Sequence, residues 1–221
     1  MNKKLDLIYE GKAKKIFASE DPHEIIVEFK DDATAFNAQK KAQFKGKGEL
    51  NCKISTNIFR YLIKHDIPTH FLRSVDHISI AAQKVEIIPI EVVLRNIAYG
   101  SLCKQTNIIP GTKFDSPLID FYLKNDQLND PLLTLERIKL LKIINNEELE
   151  VIKQLTLQIN FILKNLFYEI KLDLVDFKLE FGRNFNGELV LADEFSPDNC
   201  RLWDLNGNDD KIKSLDKDRF R

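Results

Sequence analysis

The sequence predicts an α+β protein of two lobes: a small antiparallel-sheet lobe with one helix over residues 1–86, and a larger α/β lobe over 87–221. Three observations predict it. Short alternating apolar runs crowd the first third of the chain, a long stretch of helical periodicity lies in the second part, and two strand patterns joined by a turn signal follow that stretch.

In the first lobe, "LDLIYEGKAKKIFAS" has apolar segments on both sides of Gly11, and "HEIIVEFKDD" ends a further strand in paired acids. "GELNCKISTNIFRYLIKHDIP" spaces Leu50, Ile54, Ile58 and Leu62 four apart with Tyr61 alongside, one helical stripe. Pro68 falls just past that helix. "THFLRSV" and "HISIAAQKVEII" read as strands, and Pro89 marks a junction that places the lobe division near 86–89. The second lobe opens with "IEVVLRNIAYGSLCK", a strand that turns at Gly100. The Pro/Asp/Asn-rich segment from Pro110 to Pro131 reads mainly as loop. A long helix is then predicted over "NNEELEVIKQLTLQINFILKNLFYEI". Its stripe is Leu149, Ile152, Leu155, Ile159, Ile162, Leu166 and Ile170, and Asn145 and Glu148 supply an N-cap pair.

Composition excludes more than it assigns. The 221 residues are 43% hydrophobic, enough for one large core or two modest ones. Lys+Arg 33 against Asp+Glu 34 gives a net charge of −1, without the basic excess of a nucleic-acid or membrane-surface binder. No apolar run approaches a membrane span, and the first residues lack the apolar region of a secretory signal. Cys52, Cys103 and Cys200 form no C-x-x-C pair, and His23, His65, His70 and His77 have no metal-ligand spacing. The expectation is a soluble, reduced, cytoplasmic protein.

The chemistry gathers after the long helix. In "LVDFKLEFG", alternation puts Val175, Phe177, Leu179 and Phe181 on an apolar face and Asp176, Lys178 and Glu180 on the other. A solvated face is the ordinary explanation of such a row. The following strand, "GELVLADEF", argues against it. Asn186-Gly187 is a type I′ hairpin signal, and a two-residue turn there sets Glu180 opposite Asp193. A bulge or longer loop would instead bring Glu194 to Glu180. Adjacent carboxylates require compensation, and a divalent cation with oxygen ligands, such as Mg²⁺, is the simplest. Other segments are suggestive only together. Arg201 in "FSPDNCRLWD" becomes an anion clamp beside such a pair. Lys12 and Lys14 in "EGKAKK" can face a phosphate or form a basic surface tip. Arg95 and Ser101 in "LRNIAYGS" suit an oxyanion. Lys124 in "LKNDQLNDP" and Arg219 and Arg221 in "DKDRFR" are charged positions without a local reason.

Taken in order, "EGKAKKIF", "FKDDATAF", "KGKGELNCKIS", "PIEVVLRNIAYGS", "LKNDQLNDP", "LVDFKLEFG", "LADEFSPDNCRLWD" and "DKDRFR" resemble the SAICAR synthetases of purine biosynthesis over essentially the whole chain. The resemblance implies an ATP- and Mg²⁺-dependent ligase. It would join the carboxylate of carboxyaminoimidazole ribonucleotide (CAIR) to the amino group of L-aspartate through an acyl phosphate, releasing ADP and phosphate. It also implies an ATP cleft between the lobes, similar to kinases and ATP-grasp enzymes, and a homodimer. By the same likeness Lys12, Lys14 and Lys124 hold the nucleotide, and Lys84, Glu86 and Ile87 lie along the adenine. Glu180 and Asp193 bind the metal and hence the ATP phosphates. Arg95, Ser101 and Arg201 hold the CAIR phosphate, Asp176 and Lys178 surround its base and ribose, and Arg221 lies near the reacting groups, so that Asp176, Lys178 and Arg221 are the catalytic candidates.

The chain departs from the family pattern at Asn129, where many relatives have histidine, at Ala38, where glycine is common, and at Tyr99, where a small residue is usual. Family members usually continue into a last helix after "DKDRFR". A non-catalytic nucleotide-binding module is the alternative of another class, which the retained Lys12, Glu180, Asp193 and Arg201 oppose. A protein kinase is disfavoured, since neither H-R-D-x-x-x-x-N nor D-F-G occurs.

Overall fold

The computed structural model describes residues 4–35 and 40–206. The chain forms two compact units, one of Met1–Ile88 with Phe181–Ser196 and the other of Pro89–Glu180 with Pro197–Arg221. The sequence assigns everything after 86 to one lobe. The structure instead returns 181–196 to the first unit, where Leu191 bridges Thr69 and accepts from His70 N at 2.8 Å.

In the first unit, β1 (Leu7–Glu10), β2 (Lys14–Ala18), β3 (Glu24–Phe29), β6 (Phe71–Ser74) and β7 (Ser79–Gln83) form a sheet in the order β1-β2-β3-β7-β6. A two-stranded sheet of β4 (Asp32–Ala35) and β5 (Lys40–Gln43) precedes helix α1 (Lys47–Ile63). Asp31, the first of the acid pair, accepts from Gly48 N at 2.9 Å and Gly46 N at 3.2 Å, so it caps α1 from outside the helix. The buried face of α1 runs through Cys52, Ser55, Ile58, Phe59 and Leu62, while Leu50 is exposed. The predicted stripe is therefore rotated toward Phe59, whose ring gains more from burial than Leu50 loses.

A second sheet has the order β10-β9-β8-β11-β12, with β13 also paired to β11. Its strands are β8 (Glu86–Ile97), β9 (Lys113–Leu123), β10 (Leu132–Leu133), β11 (Leu172–Arg183), β12 (Leu189–Ala192) and β13 (Cys200–Asp204). The described residues also include the short helices α2 (Ser101–Thr106) and α3 (Leu135–Leu141), the long α4 (Asn146–Glu169) and a 3-10 turn at Asp126–Leu128. The segment from Pro110 to Pro131 is thus not mainly loop, for it contains the eleven residues of β9. Pro117 obscured the strand. It lies where the register against β8 shifts, between the pairs Arg95–Leu118 and Ile97–Lys113, and so costs no ladder hydrogen bond.

α4 begins as its sequence predicts. Asn145 accepts from Glu148 N at 2.8 Å, and Glu148 accepts from Asn145 N at 3.1 Å, a complete capping box. Its buried face includes Thr156, Asn160, Leu163 and Phe167, and Ile170 is exposed. Hydropathy misplaces this face because its polar members are satisfied internally. Asn160 and Asn96 exchange amide hydrogen bonds at 2.8 and 3.0 Å, Asn96 also donates to Leu174 O at 3.0 Å, and Thr156 donates to Ile152 O at 2.7 Å. These bonds fix α4 to β8 and β11 next to Arg95.

The hairpin before β12 differs from the sequence expectation. Asn184 N donates to Glu188 O at 3.0 Å, leaving Phe185, Asn186 and Gly187 as a three-residue loop with Gly187 at φ 81°. Asn184 Oδ1 accepts from both Asn186 N and Glu188 N at 3.0 Å, and this side-chain bridge selects the longer loop over the type I′ turn. Counted outward from the Asn184–Glu188 pair, the counterpart of Glu180 is position 192, so register sets neither Asp193 nor Glu194 against it.

Candidate functional site

The second unit contains a cavity of about 350 Å³ whose wall includes Arg95, Ser101, Asp176, Lys178 and Arg201. These are all of the residues that the family resemblance assigned to CAIR within the described chain. The sheet explains the convergence. Glu91, Val93 and Arg95 share a face of β8 with Asp120 and Tyr122 of β9, Asp176 and Lys178 share the front of β11, and Arg201 of β13 stands directly opposite Asp176. Ser101 begins α2 just after Gly100.

The front of β11 is not a solvated face. Asp176 is 3% exposed and Glu180 2%, and both are paired as buried charges require. Asp176 Oδ2 accepts from Arg95 Nη1 at 3.1 Å and Arg201 Nη1 at 2.6 Å. Arg95 also donates from Nε to Asp120 at 3.1 Å and from Nη2 to the Tyr122 hydroxyl at 3.3 Å. Burial works against the Arg95 charge, but Tyr122, Asp176 and Asp120 outweigh it and hold the group above its ordinary pKa. Lys178 Nζ lies 2.8 Å from Glu91 and 2.7 Å from Glu180 Oε1, and Lys124 Nζ donates to the other Glu180 oxygen. Lys124 is carried on a braced loop, with Lys124 N donating to Pro89 O and Asp130 accepting from Asn125 N.

In the first unit, Gly11 N donates to Lys14 O at 2.8 Å to close the turn that carries Lys12, which is exposed. Lys14 Nζ pairs with Asp193 and lies 3.5 Å from Glu194. Asp193 follows β12 at φ 62°, a left-handed conformation that aspartate and asparagine tolerate better than most residues. His70 is buried beside this pair, and its Nε2 has no hydrogen-bond partner among the described residues. Burial drives its pKa down to about 4, opposed by the Asp193 charge and backbone carbonyl and assisted by Lys14. Lys84 and Glu86 are exposed, the first donating its backbone N–H to His23 O. Arg219, Arg221 and Ala38 lie outside the described residues.

Sequence reasoning missed Glu91, Asp120, Tyr122 and Asp198. Glu91 and Arg95 are both on the two-residue period of β8, a signal that was available, whereas Asp120 and Tyr122 were hidden in the segment read as loop. Among the described residues no three His, Cys, Asp or Glu side chains converge as a metal-binding group, and no helix is long and apolar enough to cross a membrane. Glu180 and Asp193 each present carboxylate oxygens paired with lysine ammonium groups of their own unit, and carboxylate oxygen is the donor type that hard cations take.

An α+β fold with a cavity walled by a buried arginine–aspartate pair and a part-buried lysine–glutamate pair has the fixed charges that can hold an anion in place. The profile of the SAICAR synthetase family matches residues 7–221. The chain is 69% identical over 221 residues to the phosphoribosylaminoimidazole-succinocarboxamide synthase of Prochlorococcus marinus subsp. pastoris, covering all of this chain and 91% of that one. The crystal structure of the enzyme of the same name from Ehrlichia chaffeensis superposes with a TM-score of 0.94 at 49% identity, covering 98% of this chain and 91% of that one. A SAICAR synthetase in complex with ADP superposes at 0.92 and 45% identity, covering 96% and 89%. The chain belongs to the SAICAR synthetase family, ATP-dependent ligases of purine biosynthesis.

Proposed function

We propose that this ligase joins the carboxylate of CAIR to the amino group of L-aspartate, and that the cavity of the second unit is where CAIR sits. The observation that carries the assignment is the convergence of Arg95, Ser101, Asp176, Lys178 and Arg201 on one cavity wall. Arg95 and Arg201 are oriented there before any ligand arrives, which is the arrangement that recognises a phosphate with little further loss of side-chain freedom. Ser101 adds a hydroxyl to the same group, and Asp176 and Lys178 face the base and ribose.

A carboxylate is a poor acyl donor. ATP converts that of CAIR to an acyl phosphate, the aspartate amine attacks the acyl carbon, and the C–O bond to phosphate breaks as the amide forms. The residues needed are cations that hold phosphoryl oxygens, not a Ser-His-Asp set. Lys12, Lys14 and Lys124 take the nucleotide phosphates, Lys84 and Glu86 border the adenine, and Glu180 and Asp193 hold Mg²⁺. When bound there, Mg²⁺ would supply charge neutralisation to phosphoryl oxygens. Arg221 belongs to the reacting centre. The relative solved with ADP supports the nucleotide role. A cytoplasmic location and a homodimer go with this reading, and sedimentation tests the latter.

The decisive assay supplies ATP, Mg²⁺, CAIR and L-aspartate. The expected result is aspartate-dependent ADP release with formation of the succinocarboxamide. ADP release that is indifferent to aspartate, or no turnover by folded protein, overturns the assignment.

A further inference from the structure

Arg201 is fixed from three sides within the second unit. Asp176 accepts from Nη1 at 2.6 Å, and Cζ lies 5.5 Å from the centroid of the Tyr99 ring, within cation–π range. Gly100 passes so close that a Cβ there would lie 2.9 Å from Nη2. Tyr99 is itself braced, because Trp203 meets it edge-on with rings perpendicular and centroids 5.3 Å apart. Trp203 is two residues from Arg201 on β13, so cation, platform and brace are carried by two neighbouring segments, Tyr99–Gly100 and Arg201–Trp203.

The two partners of Arg201 act differently. Asp176 orients the guanidinium but offsets part of its charge toward an incoming anion. An aromatic face orients the same plane without a formal charge and without a carboxylate oxygen to compete with a ligand for its donors. A wall that must both hold an arginine still and leave it attractive to a phosphate gains from using one partner of each kind.

We infer that Tyr99 is a positioning residue for phosphate recognition, setting the plane of the Arg201 guanidinium through its ring face. This rests on the reading of the cavity as the CAIR site.

The test compares Tyr99→Leu, Tyr99→Met, Tyr99→Phe and Arg201→Met in the full chain, by steady-state kinetics with CAIR, ATP and aspartate varied in turn. Loss of the ring in the Leu and Met variants is expected to raise KM for CAIR about tenfold, with kcat and KM for ATP changed by less than about twofold. Tyr99→Phe keeps the ring face and is expected to match the parent. The inference is overturned if a folded Leu or Met variant keeps the parental KM for CAIR while Arg201→Met raises it; the cavity assignment then stands. If Arg201→Met also leaves that KM unchanged, the cavity assignment falls and the inference with it. Equal losses in every kinetic constant, or a Phe variant as impaired as Leu, also overturn it.

Discussion

Asp176 and Arg201 stand directly opposite each other on β11 and β13 and form a 2.6 Å ion pair in the cavity wall. The carboxylate is buried and serves two guanidinium groups, so removing it leaves Arg95 and Arg201 without their shared counter-charge. Asp176→Ala is expected to lower unfolding free energy by about 3 kcal/mol, the low end for a broken buried pair, since Arg95 retains Asp120 and Tyr122. Urea denaturation measures this, and a loss below about 1 kcal/mol would show that the pair is effectively solvated.

Asp193→Asn separates chemistry from fold. Asparagine accepts the positive φ of position 193 as readily as aspartate, so backbone strain is unchanged, and only the charge facing Lys14 is lost. The expected outcome is a thermal midpoint within a few degrees of the parent and turnover reduced by at least about a hundredfold. Near-normal activity at saturating Mg²⁺ would contradict the metal assignment.

Gly100→Ala brings together two penalties at one position. φ is 64° with ψ −131°, where an L side chain is strained, and the new methyl group would press on the Arg201 guanidinium. We expect a stability loss of about 1–3 kcal/mol and weakened CAIR binding, read together by calorimetry. A variant that keeps full CAIR affinity would show that Arg201 can move without consequence.

His70 makes stability depend on pH. Its folded pKa of about 4 lies below the ordinary 6.5, so the unfolded chain binds the proton more tightly. The contribution of neutral His70 is complete above about pH 6.5 and is lost as pH falls toward about 4, amounting to about 2 kcal/mol between pH 7 and pH 5. Urea unfolding of the parent and His70→Gln at both pH values tests this, with a shallower decline expected in the variant. Parallel declines would mean that His70 takes up its proton without cost.

What the sequence disclosed depended on whether the deciding interaction was local. The capping box of Asn145 and Glu148 spans three residues and could be read directly. The alternation of β11 was equally plain, and Asp176 and Glu180 of its polar face are buried and paired rather than solvated. The hairpin was misjudged because Asn184, outside the Asn-Gly signal, bridges the loop with its side chain. β9 was missed because Pro117 reads as a breaker unless the register shift that accommodates it is known. The stripe of α4 was misphased because Thr156 and Asn160 are buried through hydrogen bonds that no hydropathy scale records. Asp120, Tyr122 and the Tyr99–Trp203 brace depend on pairings between distant segments, so single-sequence patterns hold no trace of their geometry.

β11 sets its charged residues and its apolar residues on alternate positions of one strand, which makes it intolerant of a change in length. Deleting Phe177, with Asp176 held opposite Arg201, would swing Lys178 and Glu180 toward the core and turn Leu179 and Phe181 to the opposite face. A point change removes one contact, whereas a frame change of one residue removes the wall.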